Sequence, residues 1–378
     1  MSNYLEYGST IVQHTPLIAQ HRAAGAKLVD FAGWEMPIHY TGVVDEYYAV
    51  RHKAGLFDVS HMGRIVVSGS SAEAFLQHMT TNDLSALRPM QAQYSMICNE
   101  LGGIKDDIFV YRLAGAGEFL LCVNASNRDK IVSWLAEHGR EFPDCRITDR
   151  TAEIAQIALQ GSAARVIVSA LGLSRLEQLK LRESTTVRVA EVECLVARTG
   201  YTGEFGYEFY VYGQSYCVWD KLMVTGQAFG LKPAGLGARD LLRLEMGYLL
   251  YGNDIDERTT PIQAGAEWAV RFEKGKFIGK DSLLNQKQTG LSRRFIGFEL
   301  LEKGVPRHGF KIFSPSSSQS PIGEVTSGNL SPLLQKGIGL GYVASEYAEL
   351  GTELFIDIRG KAIPAKVVKP AFYKRPAT

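Results

Sequence analysis

The chain lacks the features that would carry a protein into or across a membrane. No apolar run approaches the roughly 18 residues that span a bilayer. The opening stretch Met-Ser-Asn-Tyr-Leu-Glu-Tyr-Gly has neither a basic segment nor an apolar core, so no signal peptide is expected. Cysteine is scarce: Cys98, Cys122, Cys145, Cys194 and Cys217 are widely spaced, with no Cys-x-x-Cys. That argues against a disulfide framework or a structural zinc site and for a reducing, cytoplasmic setting. An excess of one charge is missing too. Lys and Arg number 41 against 40 Asp and Glu, a formal net charge of +1, so no nucleic-acid or acidic-membrane partner is expected. There is no Gly-x-Ser-x-Gly elbow, no Walker loop, and no Gly-x-Gly-x-x-Gly near the N-terminus. The chemistry is expected to run on a bound substrate or carrier cofactor, without metal, flavin or nucleotide.

What is present is ordinary globular composition, 46% apolar and 21% charged over 378 residues, long enough for two or three domains. Residues 41–55 read as a helix stopped by Gly55. From about 63 to 123 the signal is β. Arg64-Ile-Val-Val-Ser is a strand and residues 71–78 a short helix. Residues 94–98 pair with 104–113 across Asn99-Glu-Leu-Gly-Gly, and 118–123 follow. This is an antiparallel meander, with Cys98 and Cys122 packed inside it, and not a βαβ alternation. A helix is expected over 127–138. Between 154 and 250, strands (154–159, 192–198, 207–211) alternate with helices (163–171, 215–225, 238–246). A polar, basic linker is expected at 286–294. Short strands at 295–301, 322–326, 337–343 and 352–358 then predict a small barrel. The division that follows is a discontinuous α/β domain (1–60 with 140–285), an antiparallel sheet domain (61–139) and a β-barrel domain (286–378).

Three runs invite chemistry. Side chains alternate along a strand, so Asp107, Phe109 and Tyr111 share one face with Lys105, while Asp106, Ile108, Val110 and Arg112 take the other. A carboxylate aligned with two aromatics can hold a flat heterocycle beside a proton acceptor; equally, two aspartates after Gly-Gly can simply end a hairpin. Gly200-Tyr-Thr-Gly-Glu-Phe-Gly-Tyr-Glu reads either as a loop closing on a ligand or as a surface hairpin. In the helix begun by Gly235-Leu-Gly-Ala-Arg-Asp, Arg239 and Arg243 lie four apart on one face. They can grip a carboxylate or ring carbonyl, or be spent in pairs with Asp240 and Glu245. His14 and His61 are lone histidines without metal-ligand spacing, and a structural or solvent-facing role is expected.

Taken in order, the chain's runs resemble the aminomethyltransferase (T-protein) family of the glycine cleavage system. They are Thr15-Pro-Leu, Val29-Asp-Phe-Ala-Gly-Trp-Glu-Met-Pro, Ala54-Gly-Leu-Phe-Asp-Val-Ser-His-Met-Gly, Thr81-Asn-Asp, Gly102-Gly-Ile-Lys-Asp-Asp, Leu159-Gln-Gly, Thr199-Gly-Tyr-Thr-Gly-Glu, Gly235-Leu-Gly-Ala-Arg-Asp, Leu250-Tyr-Gly-Asn-Asp-Ile-Asp-Glu, Gly323-Glu-Val-Thr-Ser-Gly and Lys369-Pro-Ala-Phe-Tyr. The resemblance covers nearly the whole chain.

It implies an α+β fold of three domains in a cloverleaf, mixed α/β and antiparallel β with a C-terminal β-barrel, around a central folate channel. It implies an enzyme that takes the aminomethyl group from the lipoyl arm of the H-protein and passes it to tetrahydrofolate. Ammonia, methylenetetrahydrofolate and dihydrolipoyl H-protein would be the products. On the matching positions it implies Asp107 as the catalytic carboxylate. Folate contacts would be Met62, Tyr94, Phe109, Tyr111, Asn124, Tyr201, Glu208, Arg239 and Tyr248. Glu208 would take the pterin's amino-amide edge, Tyr94 and Tyr111 would flank the rings, and Asp106 would stand outside the site. Lys105 replaces the family's usual aliphatic residue and Ser162 its usual proline. Two relatives compete: a folate-dependent demethylase module of the kind fused to flavin oxidases, and a folate-binding accessory protein of the iron–sulfur assembly type. The latter carries a cysteine motif absent from Thr199-Gly-Tyr-Thr-Gly-Glu.

Overall fold

The computed structural model describes residues 12–315 and 320–375. The opening stretch read for a signal peptide therefore lies outside the described residues.

The six-stranded sheet runs Ser184–Val189, Val192–Ala197, Gly206–Tyr212, Ile154–Gln160, Ala54–Asp58, Leu231–Pro233, antiparallel except for the last pair. Its strand Ile154–Gln160 is buried along its whole length because both faces are covered. Ile157 and Leu159 pack under the helices Ala164–Ala170 and Ser215–Gln227. Ala158 points the other way, to Tyr47, Val50, Ala238 and Leu242 of the helices Val43–His52 and Leu236–Glu245.

The expected helix over 41–55 is shorter than the sequence implied. It ends at His52, and Ala54–Asp58 is a buried strand. Gly55 is there for close packing and not as a stop: a Cβ on it would sit 2.5 Å from Val50 Cγ2. A smaller sheet joins Gln13–His14, Trp34–His39 and Lys27–Phe31.

The five-stranded sheet runs Gln91–Cys98, Ile104–Arg112, Glu118–Val123, Gly63–Ser68, Arg146–Asp149, antiparallel throughout. Its outer strand comes from beyond residue 139. One face, with Ile65, Val67, Ile108, Val110 and Leu121, lies under the helices Ala72–Met79 and Arg128–Gly139. The other brings Tyr111, Leu120 and Cys122 against Ile154, Leu195 and Tyr210 of the six-stranded sheet. Asn99 N–H donates to Gly103 O (2.8 Å) in the turn that opens Ile104–Arg112.

Gly103 leaves no room for a side chain, since a Cβ would fall 1.9 Å from Glu257 O. Overpacking of this kind costs about 1–3 kcal/mol. Gly103→Ala is therefore expected to lower the melting midpoint by calorimetry. Because Asp107 lies four residues on, turnover should fall with it. An unchanged midpoint would show that the turn has slack.

The residues expected as a linker at 286–294 begin instead as the last turn of the helix Lys280–Thr289, whose polar residues are its wet face. A closed barrel follows: Arg293–Leu300, Lys336–Ala344, Gly323–Ser331, Lys311–Phe313, Glu353–Ile358 and Lys361–Val368. Two of its strands escaped the sequence reading. Lys311–Phe313 is three residues long, and Lys361–Val368 contains Pro364.

Buried charge ties the barrel to the rest. Arg51 Nη2 meets Glu245 Oε2 at 2.6 Å and its Nη1 meets Glu204 Oε1 at 2.7 Å. Tyr47 Oη donates to Glu245 Oε1 at 2.7 Å, and Ser331 of the barrel donates to the same oxygen. The backbone N–H groups of Phe372 and Tyr373 both donate to Glu245 O. No helix among the described residues is long and apolar enough to cross a membrane.

Candidate active site

Strand register assembles the first half of the site. Asp107 pairs with Met96 across one neighbour. Across the other, the pairing of Phe109 with Cys122 carries on to set Asp107 opposite Asn124. Asp107 Oδ2 accepts from Tyr94 Oη at 3.0 Å, and its Oδ1 accepts from Asn124 Nδ2 at 2.9 Å. Tyr94 stands edge-on to Phe109 (centroids 5.8 Å apart) and stacks on Trp268 at 5.3 Å. Burial pushes the Asp107 carboxyl up to about 6, against the lowering effect of its bonds from Tyr94 and Asn124. The Tyr94 phenol is held well above its usual range, first by burial and then by the Asp107 charge.

The same Asn124 Nδ2 also donates to Asp106 Oδ1 at 2.8 Å. Asp106 lies on the opposite face, yet one amide joins the two carboxylates. Lys105, which strict alternation puts on the face of Asp107, does not reach it. The pairing slips between Ile97 and Cys98, skipping Lys105. Its ammonium then lies 4.2 Å from the Trp134 ring centroid and 3.2 Å from Glu257 Oε2, away from Asp107.

The second half of the site comes from the six-stranded sheet and the helix after it. Glu208 is 8% exposed; its Oε1 accepts from Gln156 Nε2 at 3.2 Å and its Oε2 from the Thr199 hydroxyl. Tyr111 is fully buried, with its hydroxyl accepting from Tyr210 Oη at 3.0 Å. It backs the aromatic wall, and half-buried Phe109 and Tyr94 form the more open part. Tyr201 donates its hydroxyl to Leu249 O and lies under Arg239, 4.6 Å from the ring centroid. Tyr248 stacks on Tyr201 at 5.7 Å and is 37% exposed. Met62 packs partly buried where the two sheets meet.

The two arginines four apart have different fates. Arg243 is consumed by Asp254 (2.7 Å), Asp240 (2.8 Å) and Ser327 Oγ of the barrel (2.8 Å). Arg239 keeps a buried Nη1 with no hydrogen-bond partner. His61 is 3% exposed, and burial, then the Arg239 charge, pull it down to about 3, so its ring is neutral. His14 lies 3.2 Å from Glu35. No group of three metal-type side chains occurs among the described residues.

Sequence reasoning overlooked Gln156, Thr199, Tyr210 and Trp268, which fix Glu208, Tyr111 and Tyr94. Only Thr199 sat in a motif that drew the eye. The other three become visible only through register and packing.

The arrangement joins a basic carboxylate, an aromatic wall, a second buried carboxylate and an unsatisfied guanidinium in one place. Comparison with known proteins gives a concordant result. The family described as "GCVT N-terminal domain" matches residues 17–274, and "Glycine cleavage T-protein C-terminal barrel domain" matches 293–374. The aminomethyltransferase of Thermoanaerobacter pseudethanolicus is 44% identical over 367 residues, 96% of this chain and 98% of that one. That of Halothermothrix orenii is 45% identical over 362 residues, 96% and 100% respectively. The crystal structure of the glycine cleavage system aminomethyltransferase T of Bartonella henselae superposes with a TM-score of 0.89. It has 35% sequence identity and covers 96% of this chain and 99% of that one.

Proposed function

Because the chain belongs to the glycine cleavage T-protein family and is an aminomethyltransferase of that system, we propose that it works through Asp107, moving an aminomethyl group from the lipoyl arm of H-protein to tetrahydrofolate. The observation that carries this reading is Asp107 itself, a carboxylate raised to about 6 and held between Tyr94 and Asn124. The family resemblance favours it over both the demethylase module and the binding-only accessory protein. Five free cysteines fit a cytoplasmic setting.

The residues fit a folate. Phe109 and Tyr94 offer an aromatic wall, Glu208 a carboxylate for an amino-amide edge, and Arg239 a donor still lacking an acceptor. The folate supplies the nitrogens that receive the one-carbon unit. Asp107 holds or takes the proton those nitrogens give up, and its charge steadies the cationic carbon between the two carriers. Tyr94 and Asn124 fix the direction of its lone pairs. Glu208, set by Gln156 and Thr199, orients the ring so that the reacting atoms meet, a proximity effect.

The direct test supplies aminomethylated H-protein and tetrahydrofolate to the purified chain. Ammonia and methylenetetrahydrofolate should appear in equal amounts, and an absence of both would overturn the proposal. Glu208→Gln should weaken tetrahydrofolate binding by about 1.5–3 kcal/mol, roughly tenfold or more in Kd, because a bond to a charged group is lost. Anaerobic calorimetric titration measures it. The turnover number should climb as pH rises through about 6. The sign follows from chemistry: only ionised Asp107 accepts a proton, and burial lifts its pKa from the usual value near 4. A half-maximum near pH 4 would place Asp107 outside the proton path.

A further inference from the structure

Asp106 is a buried carboxylate that shares the Asn124 amide with Asp107 and that the mechanism above does not use. It has no exposed surface. Its Oδ1 accepts from Asn127 Nδ2 at 2.6 Å and Asn124 Nδ2 at 2.8 Å, and its Oδ2 from Asn124 N at 2.9 Å. No lysine or arginine among the described residues pairs with it. The nearby cations are committed elsewhere: Lys105 and Lys130 to Glu257, and Arg128 to Asp129 and Asp149. The other titratable groups around the pair are phenols and acids, with the guanidinium groups of Arg239 and Arg243 beyond Tyr201. Tyr94 comes from the adjacent strand, Tyr201 from the 200–206 loop, and Tyr251 and Asp254 from the loop after the helix Leu236–Glu245.

Building on the reading of Asp107 as the working carboxylate, we infer that Asp106 is a positioning residue for the transfer: through the single Asn124 amide it sets the direction of the Asp107 carboxylate and confines the pair's negative charge to the folate side. The Asn124 Nδ2 lies within hydrogen-bond distance of Asp106 Oδ1 (2.8 Å), Asp107 Oδ1 (2.9 Å) and Asp107 O (3.1 Å), so its two protons bridge the neighbouring residues. Rotation of Asp107 therefore breaks a bond that Asp106 helps to hold in place. Two carboxylates joined by one amide cannot both ionise cheaply without a cation. Asp106 is the more enclosed, and burial followed by repulsion from Asp107 pushes it up to about 8. Burial and mutual repulsion disfavour a second charge on the pair, most of all on Asp106, and an amide bridge relays electrostatics and not protons.

Asp106→Asn tests this, assayed with aminomethylated H-protein and tetrahydrofolate from pH 5.5 to 9.5. Asparagine must turn its NH2 toward one of the three donors already aimed at this position, so Asn124 loosens. The turnover number should fall about tenfold while the folate KM stays within about twofold, since Asp106 touches no folate. The parent should show a second ionisation near pH 8 in its turnover profile, and the variant should lack it. Asn127→Ser provides the second arm, removing a donor to Asp106 alone. The second ionisation should then move to higher pH, because the Asp106 anion has lost support. An Asp106→Asn profile that keeps both ionisations, or an Asn127→Ser profile identical to the parent, overturns the inference. Full turnover in Asp107→Asn would instead overturn the underlying reading of the site.

Discussion

Asp107→Asn is expected to remove about two to four orders of magnitude from the turnover number, the usual contribution of a positioned acid or base, while folate binding survives. The substitution keeps the volume of the side chain and an oxygen that can accept from Tyr94 or Asn124. What it takes away is the charge and the lone pair able to bind a proton. Glu208 lies in the other sheet, and Phe109 and Tyr111 follow Asp107 on its own strand with their rings unaltered by an isosteric change, so affinity should change little compared with rate. Single-turnover measurement with aminomethylated H-protein separates the two effects. Loss of rate at constant folate Kd supports the assignment; equal losses in both would make Asp107 a binding group. Turnover near that of the parent would remove it from the mechanism.

Glu245→Ala should be the most damaging single change to the fold. Glu245 is fully buried and receives Arg51, Tyr47 and Ser331. Its removal leaves the Arg51 guanidinium, its side chain 2% exposed, with Glu204 as its remaining anion beside the carbonyls of Thr202 and Leu242. Breaking a buried pair from one side costs about 3–5 kcal/mol, because the surviving charge stays out of water. Denaturant unfolding should show a loss of that size. The variant with all three charges removed, Arg51→Met and Glu204→Gln in the Glu245→Ala background, should be less damaged than the single change, since no lone charge is then left inside. A triple variant as unstable as the sum of its parts would show that the cluster does not act as a unit.

The legible part of this protein was the part written in periodicity. Alternation along residues 104–112 sorted Ile108 and Val110 from Phe109 and Tyr111, and the two sets do pack into different clusters. A bulge leaves no mark in a two-residue pattern, so the slip that carries Lys105 to Trp134 and Glu257 was not legible. Nor was the bridge to Asp106, because Asn124, on the neighbouring strand's end, reaches both carboxylates at once. Gly55 was taken for a helix stop when its role is contact with Val50. Arg239 and Arg243 were read as equivalent, and only Asp254 and Ser327, distant in sequence, make them different. Gln156, Tyr210 and Trp268 had no local signal, since their roles depend on register and on loops brought in from far along the chain.

The cluster around Glu245 also bears on how the chain comes off the ribosome. Arg51 is made 194 residues ahead of Glu245, and Ser331 follows 86 residues after it. The backbone donors of Phe372 and Tyr373 arrive later still. Until Glu204 and Glu245 are made, then, a nascent chain carries an arginine whose permanent partners do not yet exist, and contacts of such long reach form slowly. The emerging N-terminal sheets must therefore keep the base of the helix Val43–His52 wet over that interval. Stalling synthesis before Glu204 should consequently leave a species that proteases cut near Arg51.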